Sequence, residues 1–383
     1  MARVERERAF PDESLADRVS IGLLTSIFPM SLINEVVEAG GCADRRRRAL
    51  PARLTIYYVL ALCLFIGKNY DQVMRLLLNG LAWRSRWARR WEVPTASAIS
   101  RARARLGAEP MRILFCRVSG PVAEPRARDS WYAGLRLVTL DGSTLDVSGT
   151  SDNAAFAGAA GRSRLPQVRV LAVAECGTHA LIDATFGDPT VGEEVLARRM
   201  LRCLAPGMLL LAGAGYWDPE LWRTAAGTGA QLLWEVPSRQ ALPVGRSLAD
   251  GSYLSWPDGL AGVPVRVVDL PAGEPRSATE PVTLRLVTTL TDPGQAPAAE
   301  LAIRYARRWV MDTALSWVKP HQDGSRIMLR SKNPELVAQE IWALLCTYQA
   351  VRMLTCQATG VPRLPCPCAW RADYQAPGNN AGE

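Results

Sequence analysis

The residues best suited to chemistry lie in the run YARRWVMDTALSWVK, from Tyr305 to Lys319. At the helical step of about 100° per residue, Tyr305, Arg308, Asp312 and Lys319 fall within an arc of about 60°. Val310, Ala314, Trp317 and Val318 point the other way. The spacing predicts a helix with an apolar back and a front carrying a phenol, a guanidinium, a carboxylate and an ammonium. That set suits a phosphodiester, because the cations and the hydroxyl bind backbone oxygens and the carboxylate helps to hold a divalent metal. A solvated helix face has the same composition, so the stripe alone leaves both readings open.

The order Tyr, two residues, Arg, three residues, acid, six residues, Lys resembles the signature of the DDE transposases of bacterial insertion sequences, specifically the IS-four (insertion sequence four) family. The following run HQDGSRIMLRSKNPELVAQEIWALL is also similar to that family. So is TLDGST at Thr139 to Thr144, where the family has its first acid. The resemblance spans roughly residues 15 to 357. It implies an RNase H-like core, binding of double-stranded DNA at terminal inverted repeats, a homodimer on that DNA, and cleavage and strand transfer with Mg²⁺ (or Mn²⁺). In such a site three carboxylates hold two metals, one activating the nucleophile and the other stabilising the leaving oxygen. Carried over position by position, the resemblance implies that Asp141 and Asp312 are catalytic and hold metal, with Asp312 standing where the family has Glu. It implies that Tyr305, Arg308 and Lys319 contact DNA.

The second acid is missing. The family has a stretch like ADRGY, and this chain has Ala212, Gly213, Ala214, Gly215, Tyr216, so Gly213 takes the acid's place. A glycine offers only its backbone carbonyl, which leaves the site short of one charge and one ligand. Asp312 is one methylene shorter than Glu, and a misplacement on the order of 1 Å can cost about a hundredfold in rate. Asp218, before Pro-Glu-Leu, suits a helix cap better than a ligand. The expectation is a transposase whose catalysis is weak or lost, with Gly213→Asp restoring metal binding, aided by Ala214→Arg. Two alternatives stand beside it: a disabled, transposase-derived DNA-binding protein or inhibitor, and an unrelated RNase H-like nuclease.

The elements that must position these residues follow in chain order. Residues 1–125 read as a helical DNA-binding region, with amphipathic runs over Leu15 to Ala39, Leu54 to Leu78 and Ala96 to Val118. Arg45 to Arg48 form a charged joint, and Pro51 can open a helix. Trp83, Trp87 and Trp91 recur every four residues among Arg84, Arg86, Arg89 and Arg90, a stripe that reads as core with arginines left for phosphate. Thr95 or Ser97 can cap a helix carrying Arg101, Arg103 and Arg105, and Arg101 and Arg105 are candidate DNA contacts. Residues 126–236 alternate as strands and helices, the first part of the expected core. Asp141 is expected to end the strand LRLVTL before a Gly-Ser turn, and Asp146 to be a hairpin or surface carboxylate. Residues 237–300 read as a β-rich insertion, 301–360 as the core's C-terminal helices, and 361–383 as a disordered tail.

Composition bounds the partners. Forty-five Lys and Arg against 37 Asp and Glu give a net charge of +8, which suits a polyanion without requiring one. Nine cysteines, two histidines and no CxxC pair argue for reduced thiols and against a zinc site. The start MARVERERAFPDES has no apolar signal segment, and the longest apolar run, Ile56 to Gly67, is too short for a bilayer. The expectation is a cytoplasmic, nucleoid-associated protein with no membrane partner.

Overall fold

The fold comes from a computed structural model that describes residues 15–360 except 47, 85–92, 157–164, 238, 258, 261, 272–282, 307 and 309–327. Contacts divide the chain into two units. One comprises Met1–Val118 with Asn333–Val351, and the other Ser119–Lys332 with Arg352–Glu383. The segment expected to supply the core's C-terminal helices is therefore shared, its residues 333–351 grouping with the N-terminal helices.

In the helical unit each of the three expected amphipathic runs is broken in two. The first gives α1 (Leu15–Ile27) and α2 (Met30–Ala39), separated at Pro29 and bent by 62°. The second gives α3 (Ala52–Leu64) and α4 (Tyr70–Arg84), with Gly67 at φ +95° between them. The third gives α5 (Ala96–Leu106) and α6 (Glu109–Val118), with Gly107 at φ +71°. Pro51 caps α3 rather than occupying its first turn, and Asp44 accepts from the Ala52 amide at 2.7 Å. Thr95 caps α5 by accepting from Ala98 N. Gly80 of α4 lets Ile21 of α1 seat, since a Cβ there would lie 2.5 Å from Ile21 Cγ2. The Trp stripe falls on Trp87 and Trp91, outside the described residues, and on Trp83, of which only the backbone is described. Among the described residues no single helix is long and apolar enough to cross a membrane.

The second unit is built on one mixed sheet. Its strands are β1 (Trp131–Tyr132), β2 (Leu135–Val147), β3 (Gln167–Glu175), β4 (Leu181–Gly187), β5 (Met208–Ala212), β6 (Gln231–Val236), β7 (Arg246–Ser247), β8 (Tyr253–Ser255), β9 (Val265–Pro271), β10 (Thr283–Thr288) and β11 (Met328–Leu329). The main order is β4-β3-β2-β5-β6-β10-β9-β8-β7, with β1 and β11 pairing to β2. β2, β3 and β4 form an antiparallel meander, and β5 and β6 continue parallel to β2. The region read as a β-rich insertion is joined to this sheet through the β10–β6 pairing.

Each face of the sheet carries its own core. Val138, Leu140, Leu210, Ala212, Leu232 and Trp234 pack with α7 (Glu193–Met200) and α8 (Pro219–Gly227) through Leu196, Leu221 and Trp222. Residues of the other parity, Leu137, Leu209, Leu211 and Leu233, pack with Leu301 and Tyr305 of α9 (Ala298–Ala306). The last helix, α10, spans Pro334–Ala358.

At the end of β3 Glu175 is wholly buried and accepts from Val122 N at 3.0 Å, Ala123 N at 2.8 Å and Thr178 Oγ1 at 2.6 Å. Arg136 pairs with it, also donates to Ala123 O, and lies over the Trp131 ring. Removing one partner strands a buried charge. Arg136→Met is expected to cost about 3–5 kcal/mol of unfolding free energy in urea, and the double variant with Glu175→Gln to recover part of it. A single variant as stable as the parent would show that the pair contributes nothing.

Candidate functional site

Parallel register brings three chain-distant positions to one level. Thr139 is opposite Leu211, and Leu211 is opposite Leu233. Two residues further on are Asp141, still within β2, Glu235, still within β6, and Gly213, the residue that follows the end of β5, so the same register carried one step past β5 sets the three at one level. Their parity is that of Leu211 and Leu233, which places them on the α9 face. Asp141 is half-buried. It does not end a strand before a turn as expected, because β2 runs unbroken through Asp141-Gly142-Ser143, paired at each position with β3. Asp146 is buried rather than a hairpin or surface group, and accepts from Gln167 Nε2 at 2.7 Å.

Two side chains reach this level, Tyr305 of α9 and Arg308, two residues beyond that helix's end. Tyr305 is fully buried, and its hydroxyl donates to Glu235 Oε2 at 2.7 Å, with Ala212 O at 3.3 Å. Burial pushes the phenol's pKa up, with Arg308 opposing and Glu235 adding to the rise, so the hydroxyl keeps the proton that it donates. Expected as a DNA contact, Tyr305 instead spends its ring on the core and its hydroxyl on a carboxylate.

Arg308 follows near one turn later. Its Nη2 is 3.8 Å from Glu235 Oε2, and its guanidinium lies 5.3 Å from the Tyr305 ring centre. A Cβ built on Gly213 would meet Arg308 Nη1 at 3.0 Å, Cζ at 3.2 Å and Nη2 at 3.3 Å. The volume in which a side chain at 213 would start therefore faces a guanidinium. Tyr216, just beyond Gly213, completes the surroundings. Burial raises its pKa, Glu193 and Asp141 add to the rise, and Arg308 and Arg169 oppose it.

Three carboxylates around two metal ions is not what the described residues form. The middle position has no side chain, a cation faces it, and no group of three His, Cys, Asp or Glu among the described residues could hold a metal. Asp312 and Lys319 lie outside the described residues. Asp218 is occupied as the cap of α8, accepting from Leu221 N at 2.7 Å. Glu235 was not among the acids singled out in the sequence. Within QLLWEV it is an ordinary strand residue, and only the register with β5 reveals its place.

In the helical unit the three arginines of α5 separate. Arg101 is exposed. Arg105 is exposed but donates to Leu50 O at 2.7 Å. Arg103 is buried, donating to Gln339 Oε1 and the Tyr70 hydroxyl at 2.9 Å each, so it holds helices together and does not face a ligand.

Tyr305→Phe removes a buried hydroxyl that serves a carboxylate. It is expected to lower stability by about 1–2 kcal/mol in urea unfolding and to leave the affinity for duplex DNA unchanged at every salt concentration. A shallower salt dependence would return Tyr305 to a phosphate-contacting role.

The comparisons with known proteins agree in kind. Residues 18–116 match the family described as "Insertion element 4 transposase N-terminal", and residues 132–349 match "Transposase DDE domain". The chain is 27% identical over 341 residues to "Transposase InsG for insertion sequence element IS4" of Escherichia coli (strain K12), covering 84% of this chain and 73% of that protein. It is 27% identical over 237 residues to "Putative transposase InsZ" of the same organism, covering 60% and 75%. A chain in a cryo-EM structure of the piggyBac transposase synaptic complex with hairpin DNA is similar at a TM-score of 0.47 and 10% identity, covering 92% of this chain and 78% of that one. With the DDE domain matched over more than half of its length and the N-terminal domain matched before it, the chain belongs to the insertion sequence four (IS4) family of DDE transposases.

Proposed function

We propose that this transposase binds the inverted-repeat ends of its element as double-stranded DNA and that its cutting and joining of DNA is weak or absent. The binding half rests on family membership and on exposed basic side chains in the helical unit, Arg101 above all. The observation that carries the catalytic half is Gly213, level with Asp141 and Glu235 and faced by the Arg308 guanidinium. The strand order supports reading the core as RNase H-like, with the first acid on β2, between β3 and β5, and the second position just past the end of its parallel neighbour β5.

A divalent metal, where a family member holds one, supplies charge neutralisation at the reacting phosphate and activation of the nucleophile. In this chain Asp141 could hold such an ion, and Asp312 is carried over as its second ligand from the family signature. Arg308, positively charged and 14% exposed at its side chain, can reach a phosphate oxygen only by giving up its place over Gly213. A homodimer on DNA, with residence at the nucleoid, completes the proposal. The reading as a disabled DNA-binding relative or inhibitor is favoured by the same glycine.

Gel shifts on duplexes carrying candidate ends, paired with a nicking assay in Mg²⁺ and in Mn²⁺, test both halves. Binding without nicking is expected. Arg101→Ala is expected to weaken binding uniformly across sequences and to reduce the salt slope by about one, with Arg105→Ala doing less because Leu50 O already holds that guanidinium. Nicking that disappears in Asp141→Ala would overturn the catalytic half, and failure to bind any end would overturn the other.

A further inference from the structure

The disagreement between this strand edge and a three-carboxylate site has a specific form. Two carboxylates, Asp141 and Glu235, stand on either side of a position without a side chain. Over that position lies a guanidinium. We infer that Arg308 is the resident cation of an Asp141–Glu235 site, and that these two carboxylates bind a divalent cation once Arg308 is removed.

Four observations carry this inference. The register sets Glu235 on the same level and face as Asp141, one strand beyond Gly213. The guanidinium lies 3.0–3.3 Å from where the Gly213 Cβ would be, so it sits over the middle strand, between the two that bear carboxylates. Glu235 meets both Tyr305 and Arg308 through the same oxygen, Oε2. Finally, one pleat below Asp141 on the same face, the Thr139 hydroxyl is wholly buried and has no hydrogen-bond partner among the described residues. A buried hydroxyl normally finds an acceptor or donor, and this one lies on the face that Asp141 and Glu235 share.

The electrostatics set the order of events. Cations compete for carboxylates at short range, and a guanidinium tethered by its own chain has a high effective concentration there. While it stays, a divalent ion would be repelled by it and would share its ligands. The same reasoning changes the expected effect of Gly213→Asp. An acid at 213 begins within ion-pair distance of Arg308, so it forms a salt bridge first and gains little metal affinity by itself.

The inference deepens the proposed function and rests on it for the identity of the site, but it is tested without DNA. Mn²⁺ binding is measured by the electron paramagnetic resonance of the free ion, on the parent, Arg308→Ala, Arg308→Gln, and Arg308→Ala combined with Glu235→Gln. Circular dichroism and Tm establish that each is folded. The expected result is Mn²⁺ binding at least about tenfold tighter in both Arg308 variants than in the parent, returning to the parental level in the double variant. Equal affinity in the parent and both folded Arg308 variants would overturn it. So would a double variant that keeps the gain. Failure of the parent to shift end-containing DNA would count against the proposed function and leave this measurement standing.

Discussion

A phenol buried beneath a helix must give its proton to something, and here it gives it to Glu235. That bond fixes how α9 is rolled on the sheet, because Tyr305 also packs its ring among Leu209, Leu211 and Leu233. Arg308, two residues beyond the end of that helix, lies over Gly213 at the end of β5. There it needs room, and Gly213 provides it, since even a methyl group at that position would press on the guanidinium at 3.0 Å. Register, helix roll and glycine thus meet at one place, where an added methyl group would make the guanidinium give by a few tenths of an ångström.

The positive charge of the chain looks different once its arginines are located. Arg103, Arg136 and Arg266 are all buried, and each is spent on internal bonds. Arg266 donates to Ser252 Oγ at 2.8 Å and to Ala296 O at 2.6 Å, and pairs with Asp250. A planar donor with five N–H groups can tie together carbonyls and carboxylates from several segments, which an ammonium cannot do as well. The excess of arginine is therefore partly architectural. A basic sequence does not by that fact present a basic surface, and the α5 stripe illustrates it with one arginine buried, one occupied and one exposed.

Much of the fold was legible in the sequence because it depends on local pattern. The runs QVRVLAVAE and QLLWEV coincide with β3 and β6, and Asp218 and Thr95 cap the helices expected of them. The misreadings came where a local rule met a longer-range one. Asp-Gly-Ser is a good turn in isolation, yet β3 pairs with it residue by residue and keeps β2 extended. The long amphipathic runs kept their periodicity across Pro29, Gly67 and Gly107, so pattern alone did not show that each was two helices. A helical wheel put Tyr305 on the polar front because it counted the hydroxyl and not the ring. Glu235 could not be found locally at all. Only the alignment of MLLLA with the strand two elements later, read as parallel neighbours, puts it beside position 213.

The charge balance at this edge turns on the glycine at 213. With an acid at 213, three neighbouring strand positions would each bear a carboxylate, and like charges at about 5 Å spacing disfavour their common ionisation. Such an edge is comfortable only while cations are bound. With glycine there, that position bears no charge, and a guanidinium lies over it and 3.8 Å from Glu235, so Asp141 and Glu235 contribute two negative charges against one nearby positive charge. The edge then needs no dissolved ion to be neutralised in large part. Glycine at this position thereby removes a source of electrostatic strain from the edge.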